Sequence, residues 1–179
     1  MLTIELPERD WFDESTSEFK IVKKSSFQIE HSLVSLSKWE SKWCKPFLGK
    51  EEKTDEEVID YVRCMTISQN VDPSVYVFIP SSKQTQIDQY INAPMTATWF
   101  SDKKTKGSRE VVTAEIIYYW MISHNIPMEC QKWHLNRLLT LIRVCNIKNA
   151  PEKKQNKREM LNQRAALNQA RRAKHNTRG

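Results

Sequence analysis

Glycine is scarce in this chain: only Gly49, Gly107 and Gly179 occur among 179 residues. Phosphate-cradling loops need clustered glycines so that the backbone can approach the ligand closely. The three stand far apart, which argues against P-loop and dinucleotide-binding readings. Long apolar runs are missing too. The stretch Ile116 to Ile122 is far too short to cross a bilayer, so no membrane association is expected. Residues Met1 to Arg9 hold no apolar run flanked by basic residues, and no signal peptide is read there. Four cysteines (Cys44, Cys64, Cys130, Cys145) lack the spacing of a disulfide framework, so reduced thiols are expected.

Charge is plentiful and unevenly placed. Residues 151–179 hold nine Lys/Arg against Glu152 and Glu159, a net of +7. The remaining 150 residues hold 19 basic and 20 acidic side chains, a net of −1. The isoelectric point near 9.1 therefore describes the tail and not the body.

Hydrophobic periodicity divides the body. Leu2, Ile4 and Leu6 alternate with Thr3 and Glu5, the period of a half-buried strand. A polar turn at Asp13–Ser17 leads to Phe19, Ile21 and Val22, then to Phe27 and Ile29, which predicts two or three short strands. From Ser35 the period becomes helical: Leu36, Trp39, Trp43 and Phe47 share one face, and Pro46 ends the helix near Cys44 or Lys45. Thr54 with Glu57 forms a capping box before Val58, Ile59, Val62 and Met65. Pro73 opens a short helix through Tyr76 and Phe78, and Ser82 caps another carrying Ile87, Tyr90 and Ile91. Segments 96–100 and 110–113 suit a small hairpin, with Thr113 as the rival cap of the next helix. That helix, through Ile122, is apolar nearly all round, so it is either central in the core or covered by a partner. Pro127 is read as opening a long helix to about Asn149. The tail from Lys157 to Lys174 is rich in good helix formers, but its apolar positions are mostly alanine and can bury little area. The fold class is thus α+β, a mainly helical single domain with a small N-terminal antiparallel sheet. Residues 1–150 form a helix-rich body and 151–179 a basic helical or disordered tail.

Candidate chemistry is thin. His124, Cys130, His134 and Cys145 are the best metal-ligand set, with Cys130 and His134 four apart on the predicted helix. Zinc sites show tighter ligand pairs, and Cys145 falls in an apolar stripe, so a packing role is favoured and no metal is assigned. Cys44 and His31 have no motif joining them to an acid, and Asp55, Glu56 and Glu57 suit the first turn of a helix. No enzyme and no cofactor are expected.

The tryptophans and the tail remain. Trp39, Trp43, Trp99, Trp120 and Trp133 lie in apolar segments; core packing accounts for most of them, while Trp and Tyr also serve as interface anchors. In the tail, Arg158, Arg164, Arg171 and Arg172 suit electrostatic contact with a partner, and a solvated charge run with no partner is the other reading. No aromatic residue follows Trp133, so the tail lacks a stacking platform for single strands, and nucleic-acid binding there would be nonspecific.

Several strings resemble segments of tail assembly chaperones of long-tailed, non-contractile (siphovirus-like) bacteriophages. They are Ser35-Leu-Ser-Lys-Trp-Glu-Ser-Lys-Trp43 with Cys44-Lys-Pro-Phe-Leu48, Ala97-Thr-Trp-Phe100, Tyr118-Tyr-Trp-Met121 and the run from Glu129 to Asn146. Ala165-Ala-Leu-Asn168 with Arg171 and Arg172 is similar too, so the likeness spans roughly residues 30–179. The resemblance implies a non-catalytic protein of the host cytoplasm that binds the tape measure protein, the long helical chain setting tail length. Candidate partner-binding residues are then Trp39, Trp43, Phe47, Trp133, Arg158, Arg164, Arg171 and Arg172. A structural protein of the virion and a nonspecific nucleic-acid-binding accessory protein are the alternatives, and homo-oligomerisation stays open.

Overall fold

The structure is a computed structural model, described here for residues 1–13, 18–100, 111–150 and 157–175. It is mainly helical with a small antiparallel N-terminal sheet. Two units are distinguished, Met1–Ile147 and Lys148–Gly179.

The body begins with four short strands: β1 (Leu2–Leu6), β2 (Arg9–Asp13), β3 (Glu18–Val22) and β4 (Ser25–Ile29). Strand β1 pairs with β4, Leu2 facing Ile29 and Leu6 facing Ser25. Strand β2 pairs with β3, Arg9 facing Val22 and Asp13 facing Glu18. Both ladders keep one register, so the four strands form a single hairpin interrupted where Pro7-Glu8 lies opposite Lys23-Lys24. Pro7 has no N–H to give the ladder, which accounts for the break. Trp11 lies in β2. At the base of the hairpin Ile4, Leu6, Phe27 and Ile29 turn inward.

Helix α1 (Leu33–Trp43) follows at once. Ser32 caps it in a reciprocal box with Ser35, one turn earlier than the aromatic periodicity implied, and Cys44 closes it in a left-handed conformation (φ 53°) ahead of Pro46. Helix α2 (Asp55–Met65) carries the predicted Thr54–Glu57 box. Beyond it, Glu30 N–H bonds Met65 O and Ile67 N–H bonds Gln28 O, both at 2.9 Å, so the exit of α2 runs beside β4. Helices α3 (Ser74–Val77) and α4 (Ser81–Asn92) complete this half, Pro80 and not Ser82 preceding α4. No strand forms at 96–100 or 111–113, so the hairpin expected there is not present among the described residues; 101–110 lie outside them.

Helix α5 (Ala114–Ser123) leads through a 3-10 turn (Met128–Lys132) to α6 (Leu135–Asn149). The continuous helix expected from Pro127 is therefore broken at Trp133-His134. There the backbone extends to bridge Ser32 with His134, and Leu135 N–H bonds His31 O at 2.7 Å. A long-range pairing within the chain has displaced helix continuity.

Helix α1 is the shared wall of two cores. Trp39 joins the hairpin base, Tyr61, Met65, Tyr76 and Ile87 on one side. Leu33 and Leu36 join Ala114, Ile117, Met121, Leu135, Leu138 and Ile142 on the other. In the second unit, α7 (Lys157–His175) is a single helix whose described side chains are all exposed.

Candidate functional site

The aromatic residues chosen from sequence are not equivalent. Trp39 is 1% exposed and donates its indole N–H to Glu57 O at 2.8 Å, so it is a core residue with a satisfied donor. Its ring is not available to a partner. Trp43 stacks on Trp39 (centroids 6.2 Å apart) and donates to Asp60 Oδ2 at 2.9 Å. Phe47 lies 3.8 Å from Tyr61, centroid to centroid, with the Lys53 ammonium 4.6 Å over its outer face. These three form one cluster. Trp133 lies apart from it against the second core, half-buried, with the Arg137 guanidinium 4.2 Å over its ring. In the tail Arg164, Arg171 and Arg172 are exposed, and Arg158 lies in α7 with its side chain outside the described set.

Buried polar groups hold the elements in place. Glu40 of α1 accepts from Phe47 N–H at 2.8 Å through Oε1 and from Ala114 N–H at 2.7 Å through Oε2. It thereby caps α5 from a distance, while the Thr113 side chain makes no capping bond. Glu57 binds Lys45 at 2.6 Å, and that ammonium, with the Thr54 N–H, holds the carboxyl below the usual range. Burial pushes Asp60 upward, but bonds from Lys42 (2.6 Å) and Trp43 outweigh it and leave this carboxyl lowered too.

A second set sits where the two halves meet. His31 Nδ1 is 2.7 Å from the Tyr61 hydroxyl, and its ring lies 5.1 Å from that of His134, centroid to centroid. His134 Nε2 is 3.0 Å from Tyr90 O, which can only accept, so Nε2 carries the proton and Nδ1 accepts from Asn136 N–H at 3.3 Å. Burial, with His134 alongside, lowers His31 to about 4. Burial lowers His134 as well, against the Tyr90 carbonyl and the Glu30 charge, which favour the proton. Neutral imidazoles are the structural form of both.

The sequence-derived metal set is not assembled. His134 is committed to this seam, Cys130 is buried in the second core, and His124 Nε2 is 2.8 Å from Asn146 Oδ1. Among the described residues no group of three or more His, Cys, Asp or Glu has metal-holding geometry.

Two surface features were not found from sequence. Helix α5 turns Tyr119 (67% exposed) and Ile122 (66% exposed) outward, opposite its buried Ala114, Ile117 and Met121. The all-round apolarity of α5 thus resolves into one core face and one uncovered face. Between α2 and α4, floored by Tyr76 and Ile79, lies a groove of about 380 Å³ lined by Val58, Ile59, Val62 and Ile87, with Asp55, Gln84 and Asp88 at its edges. Val58 is 47% exposed there. The signal in the sequence was Val58 next to Ile59, which makes the apolar stripe of α2 wider than one core requires.

Comparison of the chain with protein-family models, characterised proteins and solved structures finds no match in any of the three. No helix among the described residues is long and apolar enough to cross a membrane.

Proposed function

We propose that this protein is a tail assembly chaperone of a long-tailed, non-contractile phage, holding the tape measure protein in the host cytoplasm by reversible binding and without catalysis. The observation that carries the reading is the resemblance of the Ser35–Leu48 and Glu129–Asn146 strings to that family. Those strings build α1 with its closing turn and the 3-10 turn with α6, the frame around which the body packs. A long helical client would aggregate through its apolar faces unless they were covered before assembly. The uncovered face of α5 and the groove beside α2 are surfaces suited to that task.

Co-expression with the tape measure protein encoded by the same genome tests the proposal. The expected outcome is a soluble complex recovered by size exclusion; a client equally insoluble with and without this protein would overturn it. One observation favours a second reading: Arg164, Arg171 and Arg172 are exposed on α7, as nonspecific nucleic-acid binding requires. That reading expects affinity for duplex DNA that falls steeply with salt and is lost when residues 151–179 are removed.

A further inference from the structure

We infer that the groove between α2 and α4 is a docking site for a basic amphipathic helix of a partner protein. The inference rests on the groove alone and not on the phage reading.

The charges of α2 set the argument. On its side turned to α1, Asp60 holds Lys42 of that helix and Glu57 holds Lys45 in the turn just beyond it, both at 2.6 Å. On the groove side Asp55 stands at one edge and Asp88 of α4 at the other, and among the described residues neither carboxylate has a cation. Among the described residues, the groove thus repeats the acidic half of a pairing whose basic half is supplied on the opposite side of α2. Between the two carboxylates the surface is apolar, formed by Val58, Ile59, Val62, Tyr76, Ile79 and Ile87.

The groove has a volume of about 380 Å³ and is partly open to solvent. Its polar groups suit a cationic chain better than a small polar ligand. Gln84 is already bonded to Ile79 O at 3.2 Å, which leaves the two carboxylates as the groups free to select an occupant. An apolar stripe laid on the floor, with Lys or Arg on its flanks reaching Asp55 and Asp88, satisfies both features at once. Charge at such a rim sets partner choice and encounter rate more than affinity, so the apolar anchor supplies the binding and the acids reject anionic helices.

The test uses the full chain, isotope-labelled, titrated with a designed helical peptide of about five turns. The peptide carries leucine at helical spacing with lysine on both flanks; one control replaces every lysine with glutamate and another every leucine with serine. The expected result is saturable amide shifts concentrated on Val58, Ile59, Val62, Tyr76, Ile79 and Ile87. The glutamate control is expected to bind about tenfold more weakly and the serine control not measurably. The paired substitution Asp55→Asn with Asp88→Asn weakens the lysine peptide about fivefold and lowers the unfolding midpoint by no more than about 4 °C, Asp55 standing in the first turn of α2 and both acids being exposed. Absence of saturable shifts, shifts centred elsewhere, or equal binding of either control overturns the inference. Concentration-dependent shifts of the same residues without peptide would give the groove to a second copy and overturn it as well. Failure with the tape measure protein alongside peptide binding here would sink the phage reading alone.

Discussion

Helix α1 carries Leu33, Leu36 and Trp39, each fully or almost fully buried, whereas α7 carries Leu161 and Leu167, each 60% exposed. The two are helical for different reasons. Helix α1 contains two tryptophans, a valine and three serines, modest helix formers, and is held by cores on both sides and a serine capping box. Helix α7 is built of Ala, Leu, Gln and Arg, which favour helix without burial. The contrast teaches that propensity makes a helix but only packing gives it a fixed place. In the body, no buried side-chain polar atom among the described residues lacks a partner.

The sharpest way to break this contrast is at Trp39. Trp39→Ala removes the residue around which the first core closes and leaves Glu57 O without its indole donor. A loss of about 4 kcal/mol in urea-induced unfolding is expected. The matching change in the tail, Leu161→Ala, should leave the unfolding midpoint unmoved.

Next in size is Glu40→Ala, which strands the N–H groups of Phe47 and Ala114. It should cost about 2 kcal/mol, read by the same denaturation. Hydrogen exchange at the start of α5 should accelerate, because that helix loses its remote cap.

The histidine seam adds a pH dependence to the body. His31 is lowered from 6.5 to about 4, so the unfolded chain takes up a proton in this window that the folded chain refuses. Stability is present in full above pH 6.5 and falls as pH drops toward 4. The charged and titratable groups facing the seam are His134, Tyr61, Tyr90, Glu30 and the Met1 ammonium, which pairs with Glu30 at 2.8 Å. Glu57 and Asp60, both lowered, extend the loss at still lower pH. His31→Gln, which can still accept from Tyr61, should flatten the profile between pH 6.5 and 4. An unchanged profile would place the acid sensitivity elsewhere.

Smallest is removal of residues 151–179. It should take away helical circular dichroism while shifting the thermal midpoint by less than about 2 °C, because α7 buries none of its described side chains.

What the sequence made legible was local. The Thr54–Glu57 box, the halt of α1 before Pro46 and the alternation of Leu2, Ile4 and Leu6 are each set by neighbours within a few residues. The break after Pro127 was not legible, because it depends on His31 O and Ser32, about a hundred residues away in the chain. Nor was the capping of α5 by Glu40, where Thr113 offered a local and sufficient cap. Among the site candidates, aromatic periodicity marked Trp39 and Trp43 alike, yet one closes the core and the other is half-buried. The groove needed α2 and α4 side by side, and no spacing in the chain announces that.

The proposed function puts client recognition in the body and leaves the tail only an electrostatic share. Capture of the tape measure protein by the full chain and by a chain ending at Ala150, at low and at high salt, tests this most directly. Retention by the shortened chain, with salt weakening only the full chain's extra affinity, is the expected result. Capture that vanishes with the tail, or that salt abolishes in both, would contradict it.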